Sequence, residues 1–165
     1  MNPRPGAHVD SRADQFWNLY LRSLPQTPSP AKRYYETFHF GNGERLANLC
    51  ADLVMQGLKT ATSALLWEYE ARGKTAPRAG DLSIVTNWHG EPLCVIETIE
   101  VTTVPFSAVD ERFVYDYGEG GRSMNWWQAD MWEYYGEECA RLGRVPTVDM
   151  PVVCERFRVV FRRTH

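Results

Sequence analysis

Apolar positions fall at helical spacing in some stretches of this chain and cluster or alternate in others, and the two patterns are separated by proline and glycine. In residues 10–24, Phe16, Trp17, Tyr20, Leu21 and Leu24 recur every three or four positions. Asp10 or Ser11 offers an N-cap and Pro25 a stop, so this stretch predicts a helix. The following QTPSPAKR is proline-rich and reads as a surface linker. Tyr34, Tyr35, Phe38 and Phe40 alternate loosely, as a short strand or an aromatic loop would. From about Gly43 to Gln56, Leu46, Leu49, Cys50, Leu53 and Val54 form one apolar stripe of a second helix. Gly57 suits the left-handed residue that ends it. The threonine-rich text from Thr60 to Ser63 favours a strand, and Leu65 to Ala71 a short helix ended by Arg72-Gly73.

Strands dominate the centre. A turn over residues 77–81 leads into Leu82–Thr86, His89-Gly90 makes a hairpin-type turn, and Leu93 to Val104 is a long β-branched run ended by Pro105. Ser107 is placed to cap a helix reaching Tyr117, and Gly118-Glu119-Gly120-Gly121 then reads as a flexible connection. Ser123 to Leu142 is the longest helix, with Trp126, Trp127, Met131, Trp132, Tyr135 and Cys139 on broad aromatic faces. After Pro151 a last strand, Val152 to Phe161, alternates strictly: Cys154, Arg156, Arg158 and Val160 on one face, Val153, Glu155, Phe157, Val159 and Phe161 on the other. Five or six strands and four or five helices without regular βαβ order predict an α+β fold, a small mixed or antiparallel sheet or barrel decorated by helices. The division expected is an N-terminal helix and proline-rich linker over 1–33 and the main domain over 34–165.

Composition narrows the function. The chain has 165 residues, 44% of them apolar, enough for one buried core. No run approaches the roughly 20 apolar residues that span a bilayer, and the N-terminus has no apolar signal core, so a cytoplasmic protein without membrane contacts is expected. A net charge of −3 argues against a general nucleic-acid coating protein, whose affinity would come from counterion release. It leaves room for a compact nucleotide site. Cys50, Cys94, Cys139 and Cys154 have neither disulfide-framework nor zinc spacing and are expected to be core or half-buried residues. The four histidines are isolated, so no metal and no cofactor is expected.

The sharpest chemical signal is Gly57-Leu58-Lys59-Thr60-Ala61-Thr62-Ser63, a Gly-x-Lys-x-x-Thr string at a helix-to-strand junction. Only three lysines occur in the chain, and one lies here beside hydroxyl residues. Such a turn can bind an anion or activate a nucleophile, although Lys59 equally suits a cation at a helix C-terminus. Segments in the order Leu66-Trp67-Glu68-Tyr69-Glu70, Gly80-Asp81, Cys94-Val95-Ile96-Glu97-Thr98, Pro105-Phe106, Asp110-Glu111-Arg112-Phe113, Gly118-Glu119-Gly120, Trp126-Trp127 and Pro151–Phe157 follow it. Together these resemble the longer bacterial branch of the ASCH-domain family, over roughly residues 35–163.

The resemblance implies a PUA-like fold, a small, mostly antiparallel β-barrel decorated by helices, with a cleft beside the lysine motif. It also implies a link to RNA or nucleosides. Some small ASCH proteins are amidohydrolases that remove the acetyl group of N4-acetylcytidine, and others are described as ribonucleases. The amidohydrolase trio of lysine, threonine and glutamate carries over by motif to Lys59, Thr62 and Glu111. The small amidohydrolases have an arginine shortly after the threonine, where this chain has Ser63-Ala64, and the helices at 10–24 and 123–142 are additions.

In that reading Lys59 deprotonates Thr62 or a water, Glu111 orients Lys59 or relays a proton, and backbone N–H groups of the Lys59–Thr62 turn receive the oxyanion. Gly57 and Ser63 would border the substrate, Glu97 would point into the barrel mouth, and Trp67, Trp126 or Trp127 would stack a base. Each has an ordinary alternative: Glu111 as a solvated first-turn glutamate, Glu97 on a solvent face, the tryptophans in the core. The partner expected is a cytosine nucleoside or single-stranded RNA. Hydrolysis of an N4-acyl cytosine, non-catalytic RNA binding and single-strand RNA cleavage are the three readings, with monomer and homodimer both open.

Overall fold

A computed structural model describes residues 11–25 and 33–164; Asp10, most of the proline-rich linker and the two terminal histidines lie outside them. Five strands make one mixed sheet: β1 (Arg33–Phe38), β2 (Ala61–Leu65), β3 (Asp81–Thr86), β4 (Pro92–Pro105) and β5 (Pro151–Arg162), in spatial order β1-β3-β4-β5-β2. Only β1–β3 is parallel; every other pair is antiparallel. The helices are α1 (Ser11–Ser23), α2 (Glu44–Met55), α3 (Leu66–Ala71), α4 (Glu111–Tyr117) and α5 (Met124–Arg141). The α+β class expected from the apolar pattern is therefore the one observed.

Three apolar clusters hold the helices on the sheet. Phe16, Trp17 and Tyr20 of α1 pack on Leu82, Ile84 and Val95. Cys50, Ala51 and Val54 of α2 cover Val85, Cys94, Ile96 and Phe157 on the opposite side. The largest cluster joins Ala61 and Leu65 of β2 to Phe113, Val114 and Tyr117 of α4 and Trp127, Met131 and Tyr135 of α5. All four cysteines are buried free thiols, as their spacing suggested. Among the described residues no helix is long and apolar enough to cross a membrane.

Three local expectations change. The strict alternation of β5 fails because its ladder with β4 shifts register, pairing Val95 with Phe161 and Ile96 with Val159. Phe157 and Val159 thus stay under α2, while Phe161 turns to α1 and packs against Phe16 and Tyr20. The α2 stripe rotates: Ala47, Cys50, Ala51 and Val54 are buried and Leu49 is exposed. The helix expected from Ser107 breaks into a 3-10 turn at Phe106–Ala108 and α4, whose N-cap is Asp110, with Oδ1 accepting the Phe113 N–H at 2.8 Å.

Candidate functional site

The Lys59 loop is shaped by the end of α2. Gly57 takes φ 75°, and the N–H groups of Leu58 and Lys59 both donate to Leu53 O, at 2.9 and 3.1 Å. The chain then enters the sheet, with Thr60 N–H donating to Asp116 O at 2.8 Å and Thr60 O accepting from Phe157 N–H at 3.0 Å. The Lys59 and Thr60 amides are thus already bonded and are not free to receive an oxyanion. Because Thr60 is tied to Asp116, the C-terminal end of α4 is fastened beside the lysine.

Lys59 points inward and is only 1% exposed. Its Nζ donates to Glu119 Oε2 at 2.6 Å and to Tyr117 O at 3.1 Å, and it lies 3.5 Å from the centroid of the Tyr117 ring and 5.4 Å from that of Phe40. The ammonium therefore sits at the seam between the α2 and α5 clusters, matched to one carboxylate and two aromatic faces. Burial, with Glu119 as the next cause, pushes the neighbouring Cys50 thiol up to about 12.

The carboxylate brought to Lys59 is Glu119, not Glu111. Glu111 is exposed at the first position of α4, at the far end of a seven-residue helix from Tyr117 and so about 10 Å along its axis. Glu119 belongs to the glycine loop that reads locally as a flexible connection, yet both flanking glycines are fixed. A Cβ on Gly118 (φ 75°) would lie 2.2 Å from Leu58 O, and one on Gly120 (φ 56°) would lie 1.7 Å from the Trp126 ring. Arg122 closes the loop by donating to Leu58 O at 2.9 Å. A lone glutamate between two glycines was the signal available in the sequence. Its meaning depends on the close backbone approach to Leu58.

The remaining candidates divide by face. Ser63 points into the α5 cluster, its Oγ 2.5 Å from Tyr135 Oη. Thr62 points the other way, paired across the β2–β5 ladder with Glu155. Trp126 walls the Glu119 loop through Gly120. Trp67 is half-buried under the Arg144 guanidinium, 4.3 Å from its ring centroid. Glu97 receives two hydrogen bonds from Arg158, at 3.0 and 2.8 Å, on the face it shares with Leu82 under α1, away from Lys59. No group of three or more histidine, cysteine, aspartate or glutamate side chains gathers to hold a metal among the described residues.

Two carboxyls are displaced toward neutrality. Burial, opposed by the Thr98 hydroxyl and reinforced by Glu36 and Asp81, raises Glu155 from 4.5 to about 7. Burial likewise raises Glu68 to about 7; the Leu65 amide opposes this, and Glu138 of α5 adds to it. In both, the folded chain holds a proton that the unfolded chain has released between pH 4.5 and about 7. Their stabilising contribution is complete below pH 4.5 and is lost as pH rises through about 7. Urea unfolding midpoints should accordingly fall between about pH 5 and about pH 8, with a shallower fall in Glu68→Gln. An unchanged slope in that variant would remove Glu68 from the account.

Comparison with known proteins gives a consistent result. A family model described as the ASCH domain matches residues 36–161. The fold is similar to an ASCH domain from Lactobacillus crispatus JV V101, with TM-score 0.88 and 34% identity over 94% of this chain and 98% of that one. It is also similar to protein EF3133 from Enterococcus faecalis V583, of family DUF984, with TM-score 0.78 and 27% identity over 90% of this chain and 88% of that one. A sequence search of curated proteins finds no match.

Proposed function

Because the chain belongs to the ASCH-domain family, we propose that it is a hydrolase of N4-acylated cytosine nucleosides, cutting the exocyclic amide. The observation that carries this reading is the buried Lys59–Glu119 pair at 2.6 Å. A lysine serving as a phosphate clamp needs its charge open to the ligand, whereas this one is enclosed and already matched by a carboxylate. A buried lysine bonded to a carboxylate fits proton transfer better.

In this reading Lys59 hands a proton to Glu119 and, as the free amine, takes the hydroxyl proton of Thr62. The Thr62 oxygen attacks the acyl carbonyl, the C–N bond breaks, and the Lys59 proton passes to the departing amino group of cytosine. Water then cleaves the threonine ester, releasing the carboxylic acid and restoring the hydroxyl. Glu119 takes the carboxylate role in place of Glu111, and Trp126 and Gly57 border the entrance.

Release of cytidine from N4-acetylcytidine, followed by chromatography, tests the reading. Turnover should fall about 100-fold or more in Glu119→Gln and stay within about twofold of the parent in Glu111→Gln. Absence of turnover together with salt-sensitive binding of short single-stranded RNA would instead favour a binding module. RNA fragments formed only with Lys59 intact would favour a ribonuclease.

A further inference from the structure

The face of the sheet that carries Thr62 holds a second carboxyl, Glu155, which the lysine pair leaves unused. Glu155 is the cross-strand partner of Thr62, so their side chains project from the same face about 5 Å apart at Cβ. Its Oε1 accepts a hydrogen bond from the Thr98 hydroxyl at 2.6 Å. Oε2 has no hydrogen-bond partner among the described residues, and yet it is not sealed off: the side chain is half-buried, as are Thr62 and Tyr69 beside it. Among the described residues no lysine or arginine pairs with it. Lys59, which the mechanism brings to Thr62, is committed to Glu119 at 2.6 Å, and the other cations nearby are committed elsewhere, Lys74 and Arg72 to Glu36 at 2.7 and 4.0 Å and Arg33 to Asp81 at 3.0 Å. The groups facing Glu155 are therefore acidic or phenolic: Glu36 and Tyr35 of β1, Asp81 of β3 and Tyr69 of α3.

We propose that Glu155 reads the amidine edge of the pyrimidine as an uncharged carboxylic acid, holding the base over Thr62. With Oε1 accepting from Thr98, the acid proton resides on Oε2 and is donated to the unprotonated ring nitrogen beside the amino-bearing carbon. Oε1 keeps a lone pair for the exocyclic N–H, so the contact is a two-point match of donor to acceptor and acceptor to donor. A neutral acid suits this place because burial disfavours an unpaired carboxylate there, and Glu36 and Asp81 add to that cost. The inference rests on the nucleoside reading of the site and adds to it a specificity-determining residue.

Cytidine is the probe, because its binding is measured without turnover. Calorimetric titration at about pH 5.5 and about pH 8.5 should show wild-type affinity dropping at least about tenfold at the higher pH, since the acid loses its proton on the way. Glu155→Gln offers the same donor and acceptor at both values, so its affinity should be nearly flat with pH. Glu155→Ala should bind at least about tenfold more weakly than wild type at about pH 5.5. Circular dichroism of both variants separates loss of fold from loss of contact. Flat or rising wild-type affinity with pH, a wild-type slope retained in Glu155→Gln, or no cytidine binding at either pH would overturn the proposal. The hydrolase reading fails on a different result, absence of N4-acetylcytidine turnover or its persistence without Lys59.

Discussion

Replacing Lys59 by methionine is expected to abolish N4-acetylcytidine turnover, by about 100-fold to 10,000-fold, and to destabilise the chain by about 3–5 kcal/mol. The two effects have separate causes. Methionine keeps the length and most of the volume of the buried stem but removes the proton carrier. It also leaves Glu119, whose side chain is 11% exposed, facing the Tyr117 carbonyl without its cation. A carboxylate deprived of its partner in a buried site costs more than the pair ever contributed. The double variant Lys59→Met/Glu119→Gln should therefore recover much of the lost stability and none of the activity. Urea unfolding of the four members of this cycle, alongside their turnover rates, checks both statements. Additive stabilities would show that the two side chains do not depend on each other. Full turnover in the single variant would remove Lys59 from the chemistry.

Alanine at Gly118 or Gly120 is expected to cost about 3 kcal/mol or more and to silence the site even where the chain still folds. At Gly118 the new methyl would lie 2.2 Å from the Leu58 carbonyl oxygen, and backbone cannot turn aside as a side chain can. At Gly120 it would enter the Trp126 ring, 1.7 Å from a ring carbon. Either way the loop must lift, and Glu119 leaves Lys59. Gly121 provides the control: it has φ 70° with nothing within 4 Å of a built Cβ, so Gly121→Ala carries only the left-handed backbone penalty of about 1–2 kcal/mol. Comparable losses at all three positions would mean that backbone strain, rather than contact with Leu58 and Trp126, fixes the loop. Retained turnover in a folded Gly118→Ala chain would show that the position of Glu119 is not critical.

The local elements were legible because each rests on neighbours within a few residues. The apolar repeat of residues 10–24, the glycine after α2, the β-branched run of β4 and the serine that caps α5 act over one or two helical turns or along a single strand. The Gly57–Thr62 loop was visible for the same reason: its lysine follows a helix-ending glycine, and its threonine opens a strand. Strand faces were less secure, because one register shift between β4 and β5 moves Phe161 to α1 while Val159 remains under α2.

Local pattern was thus enough for the α+β inventory, the inward-facing aromatic stock and a loop that sets a lysine beside two threonines. Which carboxylates lie beside that loop follows from the tertiary structure. Glu111 opens one short helix and Glu119 lies just past its end, and the docking of Asp116 on Thr60, with Gly118 and Arg122 against Leu58, brings the second to Lys59. Glu155 meets Thr62 through a strand pairing 93 positions apart (155 minus 62). Contacts between such distant residues follow from how apolar faces pack and how strands register, and no window of neighbouring residues carries that information.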